Sequence, residues 1–241
     1  MKKIRVTIWN EDDDNQAAYP EGIHNCIAGF LRETENLEVK TSTLSAPECG
    51  VSAELLENTD VLIWWAHSKH HLLSDEATER IKERVLAGMG FLVLHSGHGS
   101  KPFHALLGTH TVRLRWRDGD HERVWTVDPT HAITQGIDEA IEIPESEMYG
   151  EWFRVPAPDE LVFISWYSGG EVFRSGCCWK RELGKIFFFS PGHEGFRIYD
   201  NPQIRKVIIN AVNWAAPLSY KTPFYDHAPV SPEETYKAAN K

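Results

Sequence analysis

No apolar stretch in this 241-residue chain reaches the ~20 residues that a membrane-spanning helix needs. The opening MKKIRVTIW runs directly into strand-like alternation, without the apolar segment and cleavage site of an export signal. A membrane partner is therefore not expected, and the expected location is cytoplasmic. Cysteine is scarce. Cys26, Cys49, Cys177 and Cys178 show no C-x-x-C spacing, which argues against a disulfide framework or a zinc ribbon and leaves four small, partly buried thiols. The adjacent Cys177 and Cys178 would point to opposite faces of a strand. Basic clusters are also missing: 25 Lys and Arg lie scattered among 35 Asp and Glu, for a net charge of -10. That is the reverse of a nucleic-acid footprint. Internal repeats, low-complexity segments, H-E-x-x-H and G-x-S-x-G are absent as well, so no local motif marks a zinc protease or a serine hydrolase.

What is present is a set of apolar runs that end in imidazoles: DVLIWWAHSKHH, FLVLHSGHGS and KIFFFSPGHE. Short uninterrupted apolar runs read as strands covered on both faces, the pattern of a parallel sheet. Around them strand and helix periodicities alternate. Lys3 to Trp9 predicts a strand, and Ile23, Ile27, Phe30 and Leu31 an amphipathic helix. Leu37 to Thr43 predicts a strand, Val51 to Asn58 a short helix, and Ser74 caps a helix whose inner face is Ala77, Ile81 and Val85. The small residues of HSGHGSKP permit a tight reversal into a helix carrying Phe103, Leu106 and Leu107. The fold class is thus α/β: a mostly parallel, doubly wound, flavodoxin-like sheet with helices on both faces, formed by one domain over 1–241. From Thr111 the pattern changes. TVRLRW and ERVWTV, joined by Arg117-Asp118-Gly119-Asp120, read as an inserted β-hairpin, and LVFISW with EVFRSG around Gly169-Gly170 as another. KIFFF and a helix with Ile204, Val207, Ile208, Ala211 and Val212 close the core. Residues 217–241, rich in proline, read as a tail packed on the surface or across a partner subunit of a homo-oligomer.

In an open parallel sheet the strand carboxyl ends share one edge, so His67, His95 and His193 are expected to converge in one crevice. Neutral imidazole is the commonest metal ligand, and loops at a sheet edge bring ligands from separate strands into zinc geometry. His24, in the first turn of the helix after YPEG, either leans into the same crevice or is an ordinary helix-flank histidine. The expected set around a divalent metal, zinc, or around a substrate oxygen is therefore His24, His67, His95 and His193. Proton transfer falls to Glu147, in PESEMYGEWF, or to Glu194, with His98 beside the glycine turn; an exposed loop carboxylate is the plainer reading of Glu147. Ser96 lies between two histidines but next-door residues seldom have the geometry of a nucleophile and its base. His70, His71, His104, His110, His121 and His227 read as solvated or structural, and the tryptophans and Tyr149 mainly as core.

Taken in order, YPEGIH, DVLIWWAH, GMGFLVLHSGHGSKPFHALLGT, EMYGEWF, GGEVFRSG and FFFSPGHEGF resemble the ThuA-like, or trehalose-utilisation, family over nearly the whole chain. The resemblance implies a fold similar to class I glutamine amidotransferases. Those enzymes carry a cysteine in the elbow after one strand and a His-Glu pair after a later one; the matching positions here are His95 and His193-Glu194. Without an elbow cysteine, glutamine hydrolysis through a thioester is lost. The resemblance further implies a sugar or keto-disaccharide substrate, with isomerisation, elimination or hydrolysis as the chemistry, or else a non-catalytic sugar-binding or regulatory module on the same scaffold. The segments HSKHH and HSGH depart from the shorter family pattern and point to a subgroup with its own site.

Overall fold

The computed structural model describes residues 2–12, 17–110, 113–217 and 237–239. Its elements run β1 (Ile4–Asn10), α1 (Ile23–Arg32), β2 (Leu37–Thr43), α2 (Ala53–Glu57), β3 (Val61–Trp65), α3 (Asp75–Leu86), β4 (Gly90–Leu94) and α4 (Lys101–Leu107). There follow β5 (Arg115–Thr126), β6 (Ala140–Gly150), β7 (Glu160–Tyr167), β8 (Val172–Arg181), β9 (Gly184–Phe189) and α5 (Pro202–Ala215). The nine strands form one sheet in the order β2-β1-β3-β4-β9-β8-β7-β5-β6. From β2 to β9 every pairing is parallel; from β9 to β6 every pairing is antiparallel.

The consecutive apolar runs are explained by burial on both sides. Val61, Ile63 and Trp65 of β3, Leu92 and Leu94 of β4, and Phe187 and Phe189 of β9 enter one core with α1 and α5. Leu62, Trp64, Phe91, Val93, Ile186 and Phe188 enter the other, with α2, α3 and α4. Cys178 and Cys177 divide the same way, and burial pushes the Cys177 thiol up to about 12, so it is inert at neutral pH. Helix α3 starts where Ser74 accepts a hydrogen bond from the Ala77 amide at 3.1 Å. Among the described residues no helix is long and apolar enough to cross a membrane. The tail expected over 217–241 lies, apart from Pro217 and residues 237–239, outside the described residues.

Strands β1 and β3 are locked at their entry by a buried carboxylate. Asp60 takes the Arg5 amide at 2.9 Å and the Arg5 guanidinium at 2.6 and 3.2 Å. Burial alone would raise this carboxyl; the Arg5 contacts outweigh burial and hold it below the usual range. An unfolded Asp titrates near ~3.9. The pair therefore stabilises fully above that pH, and its contribution is lost as pH falls through the lower folded value. Asp60→Asn is expected to cost about 2 kcal/mol at pH 7 and progressively less as pH falls below ~3.9, read from urea melts over that range.

The antiparallel half corrects one sequence expectation. Arg117-Asp118-Gly119-Asp120 is not a hairpin turn: β5 passes through it as one long strand between β6 and β7, with register shifts on both sides of Asp120. Gly119 takes φ +72 there, and the extra residue is absorbed as a bulge. The hairpin expected around Gly169-Gly170 is present as β7 and β8. Glu122 of β5, fully buried, fastens this half by accepting from Ser146 Oγ at 2.7 Å on β6 and from Ser165 Oγ at 2.5 Å and Tyr167 Oη at 3.0 Å on β7. Bulges in β5 and in the β7-β8 pairing increase the twist. The end of β6 thereby curls back towards the middle of the sheet, where the Glu151 amide donates to Val172 O at 3.2 Å and Arg174 Nε to Glu151 Oε1 at 2.8 Å.

Candidate active site

Strands β3, β4 and β9 lie side by side, and the loop after each supplies one imidazole: His67, His95 and His193. Their ring centroids stand 5.4 Å (His67–His193), 5.3 Å (His95–His193) and 6.2 Å (His67–His95) apart. Imidazoles that each reach one ion at about 2 Å sit roughly 5 Å apart by centroid. The curl of β6 adds Glu147, which the sequence placed in a loop and which is in fact a buried strand residue. Its ligand atoms group with those of His95 and His193, and a second group joins His67, His193 and Glu194.

His95 occupies the elbow between β4 and α4 with a left-handed φ of +50. Its Nδ1 lies 2.9 Å from Ser190 O, and because a carbonyl only accepts, Nδ1 carries the proton of the neutral ring and Nε2 its lone pair. That lone pair faces Glu147 Oε2 at 3.0 Å, yet the two are not aligned as a hydrogen bond, and Oε2 is buried without a hydrogen-bond partner. With Nε2 unprotonated the pair is two acceptors that call for a cation between them, a proton or a metal, and a carbonyl on the far ring nitrogen is the usual support of a metal-bound histidine. Burial alone would raise the Glu147 carboxyl, but contact with His95 in its protonated form, then the charges of His193 and His67, outweigh it and hold it below the usual range, so that without a metal a proton on Nε2 fills that place. Tyr149, on the same face of β6, stacks on His95 at 5.1 Å; its hydroxyl lies 2.7 Å from Ser96 Oγ and 3.3 Å from His95 Nε2.

The Nδ1 of His67 is in close contact with Glu194 Oε1, which raises the His67 pKa. Glu11 pins the following turn, accepting from the Ser68 and Lys69 amides at 2.8 Å each. Burial would raise Glu194, but the His67 contact and the nearby imidazoles hold it below its ordinary value, ionised at neutral pH. Its Oε2 is buried and unpartnered. His193 has the opposite tautomer to His95: the Gly195 amide donates to Nδ1 at 2.9 Å, so the neutral ring carries its proton on Nε2, 3.7 Å from Glu194 and 4.0 Å from Asp118. Ligation through Nε2 moves that proton to Nδ1 and forfeits the Gly195 contact. Gly192 beside it has φ +146, and a Cβ there would stand 2.2 Å from Tyr199 Oη.

His98 is half-buried and lines the cleft beside Tyr149, at a ring distance of 5.5 Å; desolvation holds it neutral and its Nδ1 has no partner. His24 is not brought into either group. It lies in the first turn of α1 with its ring against Gly22, and burial lowers its pKa. The imidazoles floor a cleft of about 580 Å³, within the range of small-molecule sites. Its other wall comes from the start of β5 and includes Trp116 and Asp118. Sequence reasoning passed over Tyr149, Trp116, Asp118 and His70, which all line it. For Tyr149 a signal existed: Glu147 and Tyr149 are two apart, hence on one face, once the segment is read as a strand. A third cluster, His131 with Glu160 and Cys178, is structural, since His131 Nδ1 caps the Ile133 amide at 3.1 Å and Nε2 bonds Glu160 at 3.0 Å.

Comparison with known proteins agrees with this architecture. A ThuA-like protein from Parabacteroides merdae superposes with a TM-score of 0.70 at 12% identity, over 92% of this chain and 94% of that one. One from Bacteroides uniformis gives 0.64 at 14% identity, over 88% and 91%. The glutaminase domain of Trypanosoma brucei CTPS with bound acivicin gives 0.51 at 8% identity, over 92% and 98%, consistent with an amidotransferase-like α/β fold. No curated protein matches the sequence significantly. The family model ThuA, described as trehalose utilisation, matches residues 5–215, from β1 to the end of α5, and the chain belongs to that family.

Proposed function

We propose that the cleft is the active site of a cytoplasmic enzyme of carbohydrate metabolism that acts on a sugar or keto-disaccharide with a divalent cation, zinc by its nitrogen and oxygen donors. The observation that carries this reading is the His95 Nε2 lone pair set against the unpartnered Glu147 Oε2 at 3.0 Å. The cation is held among His67, His95, His193 and Glu147; His95 is set for ligation as it stands, whereas His193 must give up its Gly195 contact. When bound, such an ion supplies Lewis acidity towards a sugar carbonyl or hydroxyl oxygen. The protein's own groups do the rest. Glu194, ionised and oriented through Oε1 by His67, presents Oε2 as the proton acceptor for a C–H or O–H next to that oxygen. Tyr149, kept protonated by burial, donates a hydrogen bond at the floor, and His98, neutral and half-buried, packs against its ring. His24 lies outside this set.

Metal analysis of the purified chain should return about one equivalent of zinc. Turnover of a keto-disaccharide, followed as migration or loss of its carbonyl, should stop on chelation and return with added zinc. A metal-free chain that binds sugar without turning it over would instead be a binding module on this scaffold.

A further inference from the structure

Trp116 is 65% exposed although it is one of the largest apolar side chains, and it lines the cleft rather than the outer surface. It is the direct cross-strand partner of Tyr149 in the β5-β6 ladder, so both project from the same side of the sheet with Cβ atoms about 4.5–5.5 Å apart. Tyr149 in turn stacks on His95. The indole therefore stands one side chain outward from the imidazole floor. Two charged groups flank it in the same wall. Asp118, 63% exposed, is 4.0 Å from His193 Nε2, and Arg113 makes no ion pair among the described residues. The wall is preorganised: the Arg117 guanidinium bridges Glu171 at 3.0 Å and Asp120 across the bulge, which fixes the backbone between Trp116 and Asp118.

A flat apolar face edged by a carboxylate and a guanidinium matches a pyranose, which has an apolar C–H face and a rim of vicinal hydroxyls. We propose that Trp116, with Arg113 and Asp118, forms a second sugar subsite. The reacting ring lies over the imidazoles and a neighbouring ring stacks on the indole, so the substrate class is a disaccharide or larger glycoside and not a free monosaccharide. This rests on the carbohydrate reading above.

The test uses the full chain titrated with trehalose and with glucose, by calorimetry and saturation-transfer NMR, as wild type, Trp116→Ala and Trp116→Phe, with mass from light scattering. Trehalose should bind wild type more tightly than glucose. Trp116→Ala should weaken trehalose about tenfold while leaving glucose and the mass unchanged, and Trp116→Phe, which keeps a ring, should retain most of the affinity. Unchanged trehalose affinity in Trp116→Ala, or equal loss for both sugars, overturns the subsite and leaves the carbohydrate reading standing. A change in mass with sugar affinities intact assigns the indole to a contact between two copies of the chain and likewise overturns it. If neither sugar binds wild type, the carbohydrate reading falls and the subsite falls with it.

Discussion

His95→Ala is expected to release the cation and reduce turnover by roughly 10³-fold or more, while the chain still folds. The argument turns on which nitrogen carries the proton. Ser190 O fixes Nδ1–H, so the Nε2 of the neutral ring already directs its lone pair at an unpartnered carboxylate oxygen. Removing a support residue behind a metal ligand costs about 10- to 100-fold in affinity, and removing the ligand itself should cost more. His193→Ala should weaken zinc less than His95→Ala does, because His193 gains the Gly195 hydrogen bond when it is not ligating. Zinc titration of the two variants, with circular dichroism to check folding, decides the matter. A folded His95→Ala chain that keeps a full equivalent of zinc would falsify the assignment.

Gly192→Ala is expected to cost roughly 2–5 kcal/mol of stability and to impair turnover out of proportion to the one methyl added. Two constraints coincide at this residue. Its φ of +146 is a region L-residues rarely occupy, and the new Cβ would stand 2.2 Å from the hydroxyl of buried Tyr199. Relief by backbone movement is blocked, since the Gly192 carbonyl accepts the Trp65 indole N–H at 2.9 Å in the core. Whatever displacement does occur passes to His193, the next residue. The midpoint of guanidinium unfolding and zinc affinity, measured on the same preparation, should both fall; a midpoint within experimental error of wild type would sink the prediction.

The parallel half of the sheet was legible because its strands are covered on both sides. VLIWW, FLVL and FFF need no alternation to be recognised, and the shared edge at which parallel strands end then brings His67, His95 and His193 together from the sequence alone. The antiparallel half was less legible for physical reasons. In β5 a glycine bulge imitates a turn, and in β6 Pro144 and the glutamates mask the period that puts Glu147 and Tyr149 on one face. Nothing local in ESEMYG says that an edge strand curls back to meet a loop after β4, which is a property of accumulated twist. His24 shows the opposite case: a loop position at the correct end of β1 was a plausible address, but the helix turns its ring onto Gly22 instead.

Strand β9, the last to be made, sits at the middle of the sheet, hydrogen-bonded to β4 on one side and β8 on the other. A nascent polypeptide still inside the ribosomal tunnel beyond Arg181 thus holds two unfinished fragments, each ending in a bare apolar border able to recruit a wrong neighbour. Emergence of the next stretch, through the six-residue strand Gly184–Phe189, splices the fragments together, and only then are the imidazole of the first fragment and the carboxylate of the second brought within reach of each other.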